Sequence, residues 1–190
     1  MEIKTIVVGP LQTNCYILTK NNQTLIIDPG EEPNKIINEI NKEVIGILIT
    51  HHHFDHIGAL NTIKEKYNCP VYDISNLKED INTIGSFSFK VIKTPGHKSD
   101  LVSYLFDKNL FCGDFIFKGS IGRYDLPSGN FQEMQKSISQ IIKYDQDIII
   151  YPGHGPKTTL KEEINNLISY LWIRMIINNL FIKLYKVKID

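Results

Sequence analysis

One short stretch of the sequence, residues 51–56, holds four candidate metal ligands: His51, His53, Asp55 and His56. The apolar, β-branched run at 44–49 before it predicts a buried strand. Apolar residues at helical spacing follow from residue 57. In a turn that leaves a strand, His51 and His53 can converge on one point. Imidazole and carboxylate donors together suit zinc and similar divalent metals.

Two neighbours of this pair complete the first hypothesis. Asp55 and His56 follow at once and are predicted to serve a second point close by. His52 alternates away from its neighbours, so we predict that it is not a ligand. A histidine cluster can also be a purification tag or a solvated loop. Its place inside the chain, directly after a core-like strand, argues against both.

Three more ligand-type residues follow predicted strands at a glycine or proline: His97, Asp114 and His154. Glycine permits close backbone approach there, and loops fixed at strand ends are common places for sites. A single histidine after Pro-Gly is more often an ordinary loop residue. The hypothesis therefore rests on the set, because every histidine in the chain falls just after a predicted strand.

The remaining pattern predicts one domain over residues 1–190, with a helical tail from about 160. Strands are predicted at 2–8, 13–19, 24–28, 44–49, 70–72, 87–92, 101–106, 110–112 and 147–151. Helices are predicted at 33–42, from 57, at 131–144 and from about 159. A glycine-rich loop covers 119–130. Strands that first form a meander and later alternate with helices predict two sheets with helices on their outer faces.

Composition excludes some classes of function. The chain has 21 basic residues (lysine and arginine) and 21 acidic residues (aspartate and glutamate), so its net charge is zero. It lacks the overall positive charge that favours binding to nucleic acid or to an anionic membrane. Cys15, Cys69 and Cys112 lack a disulfide pattern, which favours a reducing compartment. The N-terminus lacks a signal-peptide pattern, so we expect a cytoplasmic protein. Polar residues interrupt the segment 164–189, which predicts a packed terminal helix rather than a membrane span.

The order His51-x-His53-x-Asp55-His56, then His97, Asp114 and His154, resembles the metallo-β-lactamase superfamily over roughly residues 2–156. The resemblance implies an α+β fold, a four-layer αββα sandwich, with a two-metal site between the sheet edges. It implies that His51, His53 and His97 hold one metal and that Asp55, His56 and His154 hold the other. Asp114 would bridge them. Two divalent ions are expected, zinc first, with iron or manganese as alternatives.

Within that superfamily the chain is similar to the glyoxalase II group, the hydroxyacylglutathione hydrolases, in its short single-domain bacterial form. The similarity lies in His56, in the segments 14–16, 28–30 and 151–155, and in the loop 119–129. It implies hydrolysis of a small-molecule thioester by a metal-bound hydroxide that Asp55 helps to orient. Arg123 would bind a substrate carboxylate. Asp125 stands where that group has a tyrosine, and full-length members carry a C-terminal helical domain that helps to bind glutathione.

Several alternatives stay open from the sequence. A persulfide dioxygenase with a single iron has a Gly-Arg-x-Asp loop like residues 122–125. A phosphodiesterase or ribonuclease would use the same donors, although zero net charge argues against it. A metal-buffering or interaction protein would use the segment 164–189. Arg123 is as consistent with a solvated loop residue as with substrate binding. The sequence names neither the metal, the acyl group, the thiol carrier nor the oligomeric state.

Overall fold

The computed structural model describes residues 1–171. Its strands are β1 Glu2–Val8, β2 Thr13–Lys20, β3 Gln23–Ile27, β4 Glu43–Leu48, β5 Val71–Tyr72, β6 Ile81–Ile84, β7 Phe87–Lys93, β8 Val102–Phe106, β9 Asn109–Gly113, β10 Ile116–Phe117, β11 Ser120–Ile121, β12 Ile149–Pro152 and β13 Thr158–Thr159. Its helices are α1 Pro33–Ile37, α2 Phe54–Ile57, α3 Leu60–Tyr67, α4 Phe131–Ile141 and α5, which occupies 160–171 of the described chain.

The strands form two main sheets. The first has the order β1-β2-β3-β4-β5, and the second has the order β13-β12-β9-β8-β7-β6. Most neighbours are antiparallel, but β3 and β4 run parallel, as do β4 and β5, and β9 and β12. Parallel strands end at the same edge of a sheet, so the loops that follow each pair start close together. A separate hairpin of β10 and β11 lies between β9 and α4 in the chain.

Alternation along the strands sorts apolar side chains into three layers of core. Leu25 and Ile27 of β3 face the second sheet and join an aromatic cluster from β7, β8 and β9. Ile26, between them, faces outward and packs with Ile36 of α1. On the other outer face, α4 and α5 cover the second sheet, with Met134 among the buried contacts. The layers are therefore helix, sheet, sheet and helix, which confirms the four-layer α+β sandwich.

The predicted elements differ from the observed ones at a few places. The helix predicted at 33–42 ends at Ile37, because the chain continues in turns that bond Ile40 N–H to the Ile37 carbonyl. The short strands β6 and β13 and the hairpin of β10 and β11 have no counterpart among the predicted strands. Most of the predicted tail lies outside the described residues. Within residues 1–171, the helices are too short or too polar to cross a membrane.

The aromatic layer between the sheets supplies a stability test. Phe89 is 2% exposed and stacks on Phe106 with ring centroids 4.7 Å apart. Truncation of a buried phenylalanine to alanine typically costs about 3–5 kcal/mol because a cavity remains. We expect Phe89→Ala to lower the free energy of unfolding by that amount in urea denaturation. Ser88→Ala, on the exposed side of the same strand, is the control and should change it by less than about 0.5 kcal/mol. Equal effects would contradict the layering.

Candidate metal centre

Loops from both sheets meet at one edge of the sandwich. In the first sheet they follow β3 and β4, and in the second they follow β7, β9 and β12. Backbone hydrogen bonds join the two edges: Val102 N–H donates to the Thr50 carbonyl at 3.0 Å, and Asn14 N–H donates to the Gly153 carbonyl at 2.7 Å. The Asn14 amide also donates to the Pro152 and Gly155 carbonyls. The loop after β12 is therefore fixed against β2.

The first group of donors combines three loops of the site, those that follow β4, β7 and β9. His51, His53, His97 and Asp114 each place one ligand atom within 4.8 Å of the others. Nδ1 of His53 lies 3.1 Å from Nε2 of His51 and 2.8 Å from Nε2 of His97. Zinc ligands with bonds of 2.0–2.1 Å in a tetrahedron lie roughly 3.3 Å apart, so these spacings suit a shared cation.

The second group lies beside the first. Asp55, His56 and His154 again place their donors within 4.8 Å of one another. Oδ2 of Asp55 is 3.3 Å from Nε2 of His154 and 3.5 Å from Nε2 of His56. Asp55 and His56 lie in α2, which begins at Phe54 rather than at the predicted residue 57. His51 and His53 precede this helix, although the rings of His51 and His56 lie close, with centroids 4.2 Å apart.

Asp114 lies between the two groups. Its Oδ2 is 3.4 Å from Nε2 of His97 and 3.5 Å from Nε2 of His154, and its Oδ1 is 3.3 Å from Nε2 of His56. The backbone of Gly153 passes so close that a Cβ there would stand 2.1 Å from Oδ1. Only glycine leaves room for this approach. One carboxylate therefore faces donors of both groups.

Backbone carbonyls orient two of the imidazole rings. Nδ1 of His97 lies 2.7 Å from the Arg123 carbonyl, and Nδ1 of His154 lies 3.0 Å from the Leu11 carbonyl. A carbonyl only accepts hydrogen bonds, so each Nδ1 carries the proton. Nε2 of each ring is then the nitrogen that is unprotonated in the neutral ring, and it faces the other donors. Outer hydrogen bonds of this kind fix the tautomer of metal-binding histidines.

Asp28 orients the other buried rings, and the sequence did not identify it as a site residue. Its carboxylate accepts hydrogen bonds from Nδ1 of His56 at 2.9 Å and from the Thr50 hydroxyl at 2.6 Å. The same hydroxyl lies 3.1 Å from Nδ1 of His51. One buried carboxylate thereby holds two rings. The available signal was Asp28-Pro29-Gly30, a strand end of the same design as those that carry His97 and Asp114.

The carboxylates give the site a negative field. Burial opposes ionisation of Asp55, yet its contacts with His154 and His56 lower its pKa to about 2. Burial opposes protonation of His56, yet Asp114 and Asp28 raise its pKa to about 10. Burial likewise opposes protonation of His154, and the neighbouring carboxylates raise its pKa to about 9. A cluster that raises histidine pKa values in this way favours cations in general.

A metal pair fits these residues on two counts. Nε2 of His56 and Oδ1 of Asp114 are buried and have no hydrogen-bond partner among the described residues; although 3.3 Å apart, they are not aligned for one. The donors are imidazole nitrogens and carboxylate oxygens, which zinc, iron and manganese all accept. The structure thus brings together all seven sequence-predicted ligand residues; their role as ligands remains a prediction.

Two other sequence predictions concern residues around the cluster. His52 turns away from it, with Nδ1 2.8 Å from Asp100 and Nε2 3.3 Å from Asp73. This orientation agrees with the prediction that His52 is not a ligand. The Arg123 guanidinium makes two hydrogen bonds of 3.0 Å to Asp125, and both side chains are exposed. Substrate binding by Arg123 remains a prediction.

A pocket of about 600 Å³ opens in front of the donors. Donor residues of both groups line its floor, and Lys98 and Arg123 also line it. The remaining walls are apolar: Leu11, Phe54, Phe117, Leu126 and Pro127. A concave, mostly apolar pocket with a few polar groups at one end is typical of a small-molecule site.

The outer shell of the site supplies a metal-binding test. We expect Asp28→Asn to lower the affinity for Zn²⁺ by about 10- to 100-fold, the usual cost of losing an outer partner of ligating histidines. Competition with a chromogenic chelator measures this affinity. His52→Ala is the control, because that ring points away from the cluster, and it should leave the affinity within about twofold. Unchanged affinity in Asp28→Asn would show that Asp28 does not orient ligands.

Comparison with known proteins agrees with this architecture. The family model for the metallo-beta-lactamase superfamily matches residues 8–79 and 70–154. The probable metallo-hydrolase YqgX of Bacillus subtilis is 35% identical over 200 aligned positions, which cover 86% of this chain and 94% of that protein. Hydroxyacylglutathione hydrolase GloC of Haemophilus influenzae is 27% identical over 201 positions, covering 86% and 95%.

Solved structures give the same result. The BLEG-1 B3 metallo-beta-lactamase superposes with a TM-score of 0.81 at 34% identity, over 86% of this chain and 97% of that one. TTHA1623 in a di-iron-bound form has a TM-score of 0.77 at 30% identity, over 85% and 96%. ETHE1 from Myxococcus xanthus has a TM-score of 0.78 at 26% identity, over 86% of this chain and 81% of that one. On the family match, the sequence identities and the fold, this chain belongs to the metallo-beta-lactamase superfamily.

Proposed function

We propose that this chain is a metal-dependent hydrolase that cleaves thioesters, the reaction class of the hydroxyacylglutathione hydrolases. The observation that carries the proposal is the placing of Asp114 between two donor groups on the floor of a substrate-sized pocket. The likeness to GloC, whose name states that activity, supports it. The proposal includes two divalent cations, zinc first, and a small-molecule substrate.

The donor groups define which residues would hold each cation. His51, His53 and His97 would hold one, Asp55, His56 and His154 the other, and Asp114 would contact both. Such a cation pair supplies a Lewis acid for a carbonyl oxygen and lowers the pKa of water towards about 7. The histidine rings need no rotation to bind, because their outer hydrogen bonds already turn the other ring nitrogen inward. His56 and His154, whose pKa values are raised to about 10 and about 9, would release a proton when a cation binds.

We propose that Asp55 orients the attacking water. Its lowered pKa, about 2, keeps the carboxylate ionised at neutral pH. The Thr13 hydroxyl donates to Oδ2 at 2.9 Å and fixes the carboxylate on the pocket floor. An ionised, fixed carboxylate accepts a hydrogen bond from water and directs its lone pair towards the substrate. A thiol has a pKa near 8.5, so the thiolate leaves without a strong acid to protonate it.

A second candidate differs in its metal and its reaction. The loop at 122–125 is like that of single-iron persulfide dioxygenases, and one structural neighbour holds two iron ions. A single iron held by some of these donors would supply redox chemistry instead of hydrolysis. Another structural neighbour is described as a β-lactamase, so β-lactam hydrolysis belongs among the assays.

The activity test uses metal-quantified protein and D-lactoyl thioesters on several thiol carriers, glutathione included. We expect hydrolysis by the wild type and a loss of about a thousandfold in His53→Ala, because Lewis-acid catalysis is worth several kcal/mol. His52→Ala is the matched control and should retain the wild-type rate. Turnover of no thioester, or equal rates in wild type and His53→Ala, would refute the proposal. Oxygen consumption with glutathione persulfide, or β-lactam cleavage alone, would favour the other candidates.

Metal analysis separates the hydrolase from the dioxygenase without an activity assay. We expect close to two divalent ions per chain by plasma mass spectrometry after dialysis against Zn²⁺. Asp114→Ala should lower this to one or fewer, since the shared carboxylate contributes to both groups. Circular dichroism of Asp114→Ala checks that the variant is folded. One tightly held iron per chain in the wild type, with no second ion bound, would contradict the two-metal proposal.

A further inference from the structure

The walls of the pocket are unusually apolar for a site that would bind a charged thiol. Phe54 is 69% exposed and Leu11 is 51% exposed, yet both line the pocket beside the donors. Phe117 packs edge-on against the His154 ring, with centroids 6.0 Å apart. Contiguous exposed apolar surface in a concave site marks a binding surface for an apolar group.

Among the described residues that line this pocket, two side chains carry permanent positive charge, and each is paired within the chain. Nζ of Lys98 lies 2.9 Å from Oδ1 of Asp100. The Arg123 guanidinium binds both carboxylate oxygens of Asp125 at 3.0 Å. In each pair the acid follows the base by two residues. Each pair has no net charge, so a substrate carboxylate would meet an ion pair instead of an unpaired cation.

Building on the thioester hydrolase function proposed above, we infer that the pocket selects thioesters with an uncharged, apolar thiol carrier. Asp125 is the specificity-determining residue, because it occupies the bidentate face of Arg123 that a carboxylate would need. A carboxylate-bearing carrier must displace Asp125 or lie unpaired against apolar walls, and an unpaired charge loses solvation there. An apolar carrier loses no such solvation and covers Phe54 and Leu11.

Arg123 keeps two roles in this account that do not need a free charge. Its side chain lines the pocket, and its backbone carbonyl fixes the tautomer of His97. Long cationic side chains often contact apolar groups through their methylene stems while the head stays in water. Asp125 is exposed and its side chain contacts no ligand residue, so its replacement leaves the donor cluster intact.

The experiment compares S-D-lactoylglutathione with its dimethyl ester, using the zinc-loaded chain of residues 1–190. The acyl group, the peptide and the leaving sulfur are the same, and only the two carboxylates are capped. We expect kcat/KM for the ester to exceed that for the free acid by about tenfold or more. Equal values, or a preference for the free acid, would overturn the inference.

Variants of Arg123 and Asp125 test whether this ion pair causes the preference for the ester. Asp125→Asn frees the Arg123 guanidinium, so kcat/KM for the free acid should rise about threefold to fivefold, with the ester unchanged. Arg123→Gln leaves Asp125 as an unpaired anion at an exposed position, so kcat/KM for the free acid should fall only modestly, by about twofold to threefold. A tenfold loss for the free acid in Arg123→Gln would show that Arg123 binds the carboxylate and would overturn the inference.

A chain-length series tests the apolar walls separately. D-lactoyl thioesters of ethanethiol, butanethiol and hexanethiol should show kcat/KM rising about twofold to threefold per methylene, as apolar area is buried. Phe54→Ser should flatten this rise, and a flat series in the wild type would overturn the inference. These outcomes are distinct from failure of the proposed function. That failure would appear as no turnover of any thioester, whereas the present inference fails when thioesters are cleaved with the opposite preference.

Discussion

Two buried polar atoms at the centre of the site, Nε2 of His56 and Oδ1 of Asp114, lack a hydrogen-bond partner within residues 1–171. A buried group left unsatisfied costs about 1–3 kcal/mol, and a charged one costs more. The fold concentrates this penalty where the loops of both sheets meet. A pair of cations would satisfy both atoms at once. The outer hydrogen bonds and the close approach of Gly153 hold the rings and the Asp114 carboxylate in the positions that such a pair would need.

The two-sheet architecture explains why the loops that carry the donors converge. Parallel pairing of β3 with β4 and of β9 with β12 starts several loops at a common edge. Asp28 then couples the rings of His51 and His56 through the Thr50 hydroxyl, so one carboxylate orients a donor in each group. Strand ends therefore orient the rings of His51 and His56, whereas the loop carbonyls of Arg123 and Leu11 orient those of His97 and His154.

Much of this design could be predicted from the sequence, because strand ends are marked by glycine or proline and the donors follow directly. The stretch 51–56 and the glycine breaks before His97 and His154 predicted residues that the structure brings together. The carbonyls of Leu11 and Arg123 could not be found in this way, since every residue has one. The pairing of Arg123 with Asp125 also depends on loop geometry. The strand β6, Ile-Asn-Thr-Ile, is short and forms only by pairing with β7.

The central claim is that Asp114 joins two cation sites, and anomalous diffraction from zinc-loaded crystals tests it most directly. The account predicts two zinc peaks per chain. One should lie among His51, His53 and His97, the other among Asp55, His56 and His154, and both within about 2.0–2.2 Å of an Asp114 oxygen. A peak pair elsewhere, or Asp114 bonded to neither ion, would contradict it.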